Sequence, residues 1–108
     1  MVRANDRGLR MAWVGYRDCN EVKTVRPVAH AGYEAGYLGP INITWADTER
    51  GRGPVGTAIR MGTPSWSKDI LTDPNMAVWR TEALRRRYAS CISLPLMAHG
   101  EAFGALAL

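Results

Sequence analysis

Residues that cross-link a small protein or bind a metal are scarce in this chain of 108 residues, which has two cysteines and two histidines. Cys19 lies in a polar turn and Cys91 in an apolar run, and neither has a second cysteine or a histidine at ligand spacing. His30 and His99 also have no second ligand nearby. We therefore expect two reduced thiols, one exposed and one buried, with neither a disulfide framework nor a metal site.

Long apolar runs are also missing. The longest, residues 102–108, is far too short to cross a bilayer, and residues 1–8 are polar and lack the apolar segment of a signal peptide. We expect a cytoplasmic chain that does not insert into a membrane. Its length allows one domain, and its 46% hydrophobic and 22% charged residues are typical of a globular domain with its own core.

Positive charge is in excess, because 14 Lys and Arg stand against 10 Asp and Glu, giving a net charge of +4. Such an excess raises the question of nucleic-acid binding. The densest cluster, Arg80 and residues 85–87, falls in the second half of a predicted helix, where cations complement the negative end of the helix dipole. We interpret it as a solvated helix end and expect no nucleic-acid partner, with a nucleic-acid surface as the less favoured alternative.

Strand-like and helix-like segments follow an order that indicates an antiparallel sheet. Apolar patterning and turn signals predict strands at residues 10–16, 21–30, 64–69, 90–97 and 102–108. One helix is predicted to begin at Pro54 and end at Gly62, and a second to follow a capping Asp-Pro pair at residues 73–74. This order predicts the α+β class: a central antiparallel sheet of about five strands with helices packed on it, burying Ile59, Trp79 and Leu84.

A glycine-rich segment before the first predicted helix fits the G-x-G-x-x-G fingerprint of dinucleotide-binding proteins, with Gly51, Gly53 and Gly56. Against this, the preceding residues 47–50 are polar, Pro54 removes an N–H that a phosphate site needs, and the chain is too short for a dinucleotide-binding sheet. We favour a loop and helix start shaped by glycine and proline. No spacing indicates a catalytic triad, a Cys-His pair or paired carboxylates, so we expect neither an enzyme nor a cofactor.

Several segments, in the same order along the chain, resemble bacterial GAF domains. The run Gly-Arg-Gly-Pro-Val-Gly-Thr-Ala-Ile-Arg at residues 51–60 is similar to the family's helix-opening motif. Residues 69–74, 79–80 and 83–85 resemble the family's strand-to-helix segment. Residues 90–96 and 103–106 resemble its closing hairpin, and residues 10–16 fit its opening strand. The resemblance covers nearly the whole chain from Leu9 onward.

The resemblance implies a GAF-like sensor domain in residues 9–108 after a flexible segment of residues 1–8, within a longer bacterial signalling protein that also supplies flanking helices. Such a domain would bind an unknown small molecule, form a homodimer and bias a covalently linked output domain of histidine kinase or diguanylate cyclase type. The alternative is a dimerisation module whose pocket is filled by its own side chains. The isolated Cys19 and Cys91 differ from the Cys-His pair of bilin-binding members and the clustered cysteines of sulfoxide-reducing members.

The candidate ligand site also follows from the resemblance, since the GAF pocket lies between the sheet and the middle segments, here residues 32–54 and 64–79. Side chains there that could orient a ligand are Trp13, Tyr37, Trp45, Thr57, Trp66, Asp69, Trp79, Cys91 and Ser93. Strand side chains alternate, so Cys91 and Ser93 share one face and Ile92 and Leu94 the other. We expect the more polar pair to wall the pocket. For each ring, simple core packing is the competing interpretation.

Overall fold

The computed structural model describes residues 2–3, 9–32, 36–39 and 41–108. Their strands are β1 (Val2–Arg3), β2 (Leu9–Arg17), β3 (Val25–Gly32), β4 (Ser65–Ser67), β5 (Cys91–Ala98) and β6 (Glu101–Ala107). The α-helices are α1 (Pro54–Met61) and α2 (Arg80–Arg85), and 3₁₀ turns occupy Glu49–Gly51 and Pro74–Trp79.

The strands form one antiparallel sheet in the order β3-β2-β6-β5-β4. The opening and closing hairpins meet at its centre, where Trp13 of β2 pairs with Ala107 of β6. The predicted α+β fold class, an antiparallel sheet of about five strands with helices packed on it, is confirmed. Val2–Arg3, within the segment expected to be flexible, pairs with β2, whereas residues 1 and 4–8 of that segment lie outside the described residues.

Helix α1 covers β5 and β6 on one face of the sheet, which we call the inner face. It begins at Pro54, whose missing N–H costs nothing in the first turn, and ends at Gly62, which adopts φ 68° and donates its N–H to Ala58 O. Both predicted boundaries are confirmed. Val55, Ala58 and Ile59 are buried beneath the helix, so its apolar side faces the sheet.

The second predicted helix is only partly α-helical. Asp73 caps its start by accepting a bond from Asn75 N at 2.9 Å, but the first turns are the 3₁₀ segment Pro74–Trp79, and α2 has only six residues. The change of winding turns Trp79 and Ala83 toward the core, while Leu84 stays 39% exposed. The predicted burial of Leu84 was therefore wrong, whereas that of Trp79 and Ile59 is confirmed.

The segment before α1 is held by side chains of α1 and of the 3₁₀ segment Pro74–Trp79, which bond its backbone carbonyls. Nη1 of Arg60 donates to Trp45 O, Ala46 O and Gly51 O at 3.3, 3.0 and 2.9 Å. Nε1 of Trp79 donates to Ile41 O at 2.6 Å. These bonds satisfy buried carbonyls of a segment that has little regular structure of its own.

No helix in the described part of the chain is long and apolar enough to cross a membrane.

Candidate functional site

A cavity of about 40 Å³ lies between the inner face of the sheet and the start of α1. This volume is room for about three water molecules, at roughly 10–15 Å³ for each. Five of the nine candidate residues border it, namely Trp13, Tyr37, Trp79, Cys91 and Ser93. The structure thus brings together residues from β2, the loop after β3, the 3₁₀ segment Pro74–Trp79 and β5.

The floor of the cavity is a row of residues on three adjacent strands. Ala107 of β6 pairs with Trp13 of β2 on one side and with Ser93 of β5 on the other. Cys91 borders the cavity two residues before Ser93, because alternate residues of a strand share a face. Because the Ala107 side chain is small, the space between Trp13 and Ser93 stays open. The residue that creates the cavity is therefore an apolar one.

The opposite wall is the first turn of α1, residues 53–56. No side chain caps this helix, whose N-cap residue is Gly53. A Cβ atom on Gly53 would lie 2.6 Å from the ring of Trp79, so only glycine lets that ring pack against the helix start. The glycines that resembled a dinucleotide fingerprint thus serve close packing around the cavity.

Ser93 has the most unusual environment in this wall. Its side chain is fully buried, and its Oγ has no hydrogen-bond partner among the described residues. Ser67 of β4 is buried and unpartnered in the same way but does not border the cavity. A buried hydroxyl without a partner costs about 1–3 kcal/mol relative to a paired one. Ser93 therefore has unused hydrogen-bonding capacity and belongs to the residues that border the cavity.

Two ionisable groups at the cavity, the Cys91 thiol and the Tyr37 hydroxyl, are held in their neutral forms. Burial raises the pKa of the Cys91 thiol to about 11. Burial also raises the pKa of the Tyr37 hydroxyl well above its usual value, and the nearby Cys91 and Tyr88 add to the shift. A thiol that stays protonated is a poor nucleophile. The site can therefore donate hydrogen bonds and pack rings, but these groups do not provide a base or an activated nucleophile at neutral pH.

Two candidate residues, Trp66 and Asp69, lie away from the cavity. Trp66 is 57% exposed, because Ser67 takes the inward position of the short strand β4. Asp69 is exposed, and its carboxylate accepts bonds from Leu71 N at 3.0 Å and Thr72 Oγ1 at 3.1 Å. Neither side chain therefore borders this cavity: Trp66 follows strand alternation to the other face, and Asp69 stabilises a turn.

Trp45 and Thr57 also do not border the cavity. The indole N–H of Trp45 donates to Asp18 O at 3.0 Å, and its ring lies under Lys23 Nζ at 4.7 Å from the ring centre. Thr57 Oγ1 donates to Arg52 O at 3.3 Å, one turn back. Both polar groups already donate to backbone carbonyls of residues that do not border the cavity, so neither can orient a ligand there.

Sequence reasoning missed most of the apolar and backbone part of the site. Met11, Ile43, Met76, Tyr88 and Ala107 border the cavity, as does the start of α1. The predicted site contains side chains with a polar group, and alanine and glycine have none. The available signal was the glycine-rich segment, since glycine often marks a close approach of backbone to another group.

Structural comparison identifies proteins of the same fold. The structure is similar to the Staphylococcus aureus NreA protein mutated in its nitrate binding site, with a TM-score of 0.69, 16% identity, and coverage of 94% of this chain and 72% of that one. It is similar to a domain assigned to a two-component sensor histidine kinase protein of Sinorhizobium meliloti 1021 (TM-score 0.59, 17% identity, covering 91% and 58%). It is also similar to the type II free methionine-R-sulfoxide reductase of Thermoplasma acidophilum (TM-score 0.58, 15% identity, covering 91% and 58%).

At these identities the structural likeness shows the fold alone. Among curated proteins, no match was found. A protein-family model described as GAF domain, in contrast, matches residues 2–108 and so spans almost the entire sequence. Together with the antiparallel sheet and its helix-covered inner face, this match shows that the chain belongs to the GAF domain family.

Proposed function

We propose that this GAF domain is a sensory module that binds a small molecule in the cavity and biases an output domain of the same polypeptide, of histidine kinase or diguanylate cyclase type. The observation that carries the proposal is the cavity with the unpartnered, fully buried Ser93 hydroxyl in its wall. A ligand that bonds this hydroxyl would remove the free-energy cost of leaving it unpaired.

Proteins of the same fold support a sensory role. NreA has a nitrate binding site, and the Sinorhizobium meliloti domain belongs to a protein assigned as a sensor histidine kinase. Sites for drug-sized ligands usually enclose about 300–1,000 Å³. The cavity here measures about 40 Å³, so the proposed ligand has only a few non-hydrogen atoms.

Trp79 provides a physical route from the cavity to the rest of the domain. Its ring borders the cavity and packs against Gly53, and its indole N–H donates a hydrogen bond to Ile41 O. A ligand touching the ring would therefore favour particular positions of the segment before α1 and of the 3₁₀ turn Pro74–Trp79. A ligand shifts a conformational equilibrium only through such a difference in contacts.

We do not propose a reaction at this site, although the fold alone does not decide the point. A methionine-R-sulfoxide reductase has a similar fold. Here, Cys91 is the one cysteine that borders the cavity among the described residues, and burial raises its pKa to about 11. Such a thiol lacks the thiolate character of reactive cysteines.

Filling the cavity should abolish ligand binding without unfolding the protein. We expect Ala107→Val to place two methyl groups between Trp13 and Ser93, with valine suited to a strand. Thermal unfolding is measured with nitrate, formate, acetate and formamide added one at a time. A bound probe at ten times its Kd should raise the free energy of unfolding by about 1.4 kcal/mol in the wild type, and should leave Ala107→Val unchanged.

The matched control is Ala98→Val, the same substitution at an exposed position of β5. It should keep the response of the wild type. An equal response in Ala107→Val would place binding elsewhere, and no response of the wild type to any small probe would contradict the sensory proposal.

The second candidate function is an interaction module, and one observation favours it. The outer face of the sheet carries large apolar side chains, each half-buried or exposed: Val14, Tyr16, Ile92, Leu94, Phe103 and Leu106. The rings of Tyr16 and Phe103 pack edge to face, 5.8 Å apart between centres, and each residue is 40% exposed. Contiguous exposed apolar surface often marks a protein interface. This face would pair two copies of the domain.

Dimerisation through the outer face predicts a concentration-dependent molecular mass. Sedimentation at several protein concentrations should show a monomer–dimer equilibrium that Phe103→Glu shifts to monomer, because a charge would be buried in the interface. Val22→Glu is the control, since Val22 is exposed in the turn between β2 and β3. A monomer at all concentrations would contradict this function and leave the cavity proposal standing.

A further inference from the structure

The geometry points to the class of ligand: we propose that the cavity takes a small planar oxyanion with one negative charge, bound by the first amides of α1 and the hydroxyl of Ser93. This inference rests on the proposed sensory function and specifies its ligand. It follows from the hydrogen-bonding groups, the charge and the size of the cavity.

The start of α1 provides hydrogen-bond donors. Gly53 and Gly56 have no side chains, so they border the cavity with their backbone. The first amide of the helix with a helical acceptor is that of Thr57, which bonds Gly53 O at 3.1 Å, and no side chain caps the helix. The amides of Val55 and Gly56 precede it and therefore have no acceptor within the helix, so we assign them to the ligand. A helix N-terminus carries about half a positive charge, which favours an anion.

Ser93 supplies an independent donor from the opposite wall. Its hydroxyl is fully buried, has no partner among the described residues and belongs to a residue that borders the cavity. A hydroxyl rotates freely, so it can donate to an acceptor oxygen placed by the helix. Two walls of the same small space thus contain residues whose donors have no acceptor among the described residues, and an oxyanion would provide one.

The charge of the cavity limits the charge of the ligand. In the described part of the chain, the ionisable residues that border it are Tyr37, Tyr88 and Cys91, and tyrosine and cysteine carry no charge in their protonated forms. Among the described residues that border the cavity, there is no carboxylate to repel an anion and no Lys or Arg to neutralise one. With only the helix dipole as a compensating charge, burial of a dianion would be prohibitively costly. A single, delocalised charge fits best.

The size and walls of the cavity indicate a planar group. If each non-hydrogen atom needs as much room as a water molecule, a volume of about 40 Å³ accommodates roughly three or four of them. The flat rings of Trp13 and Trp79 border the space. Carboxylates and other planar oxyanions of three or four atoms meet both limits, whereas tetrahedral dianions such as sulfate exceed them in charge and atom number.

Formate and formamide test the inference, because they have nearly the same shape and differ in charge. Sodium formate is titrated into ¹⁵N-labelled protein at constant ionic strength, and amide shifts are followed by NMR. We expect saturable shifts of the Val55 and Gly56 amides. The Kd should be no tighter than about 0.5 mM, the limit for three non-hydrogen atoms. Formamide should bind at least about tenfold more weakly, since bonds to charged groups are roughly twice as strong.

Ser93→Ala and Ser67→Ala form the matched pair of variants. Each removes a buried, unpartnered hydroxyl, so neither should unfold the protein. Ser93→Ala should weaken formate binding about tenfold or more, the loss expected for a hydrogen bond to a charged group. Ser67→Ala should leave the Kd unchanged, because Ser67 does not border the cavity.

The outcomes separate the ligand class from the cavity itself. Formamide binding as tightly as formate, with shifts at Trp13 or Trp79, would overturn the oxyanion inference and leave the sensory proposal intact. Formate binding that Ser93→Ala does not weaken would also overturn it. If no probe shifts any residue bordering the cavity, both the inference and the proposed function are overturned.

Discussion

Gly56→Ala is expected to unfold the domain or to lower its free energy of unfolding by more than about 3 kcal/mol, beyond the range of ordinary substitutions. A Cβ atom at this position would lie 2.5 Å from Thr44 O and in closer overlap with Gly51 O. Both obstacles are backbone atoms, which cannot move as the end of a flexible side chain does. Gly51 O is also bonded by Arg60, so displacing it breaks the attachment of the loop to α1.

Gly39→Ala is the control for this substitution. The nearest atom to a Cβ there is Gly36 O at 3.6 Å, an ordinary contact, and Gly39 is exposed. Its effect should stay within about 1 kcal/mol, as for substitutions that fit their backbone. Denaturant unfolding of both variants provides the measurement. Equal stability of Gly56→Ala and the wild type would show that α1 does not approach the preceding loop as described.

Trp79→Ala is expected to cost about 3–5 kcal/mol of unfolding free energy, the range for deleting a buried aromatic ring. Trp79 is 4% exposed, packs against Gly53 and bonds Ile41 O. The substitution would enlarge the cavity and leave a buried carbonyl without its donor. Trp79→Phe keeps most of the ring and loses the N–H, so it should cost less, about 1–3 kcal/mol.

Trp66→Ala is the matched control, because Trp66 is 57% exposed on β4. Its loss should change the free energy of unfolding by no more than about 0.5 kcal/mol, as surface substitutions do. The comparison is made by denaturant unfolding under one set of conditions. A larger cost for Trp66→Ala than for Trp79→Ala would contradict the assignment of these two rings to surface and core.

The fold could be predicted because its signals are local. Pro54 and Gly62 mark the ends of α1 by backbone geometry that few other residues share. The strands follow from runs of apolar residues separated by turns. The second helical segment was less predictable, since its apolar spacing suited a continuous helix while tertiary packing favours a 3₁₀ turn before α2. That difference left Leu84 exposed.

The candidate site could be predicted only in part. Strand alternation, applied to one strand, placed Cys91 and Ser93 on one face, and both border the cavity. Trp45 and Asp69 were chosen for their polar groups, yet those groups already bond Asp18 O and a turn in the folded chain. The contribution of Ala107 depends on the register of three strands, and no local pattern in the sequence reports that register.

A high-resolution crystal structure of the ligand-free chain would test the central claim most directly, since the sensory function depends on an open cavity. We expect ordered solvent between Trp13, Ala107 and the start of α1, with a water bonded to Ser93 Oγ. A cavity closed by the side chains of Trp79 or Met76, with the Ser93 hydroxyl bonded to protein, would contradict it. The self-filled interaction module would then be the better description of this GAF domain.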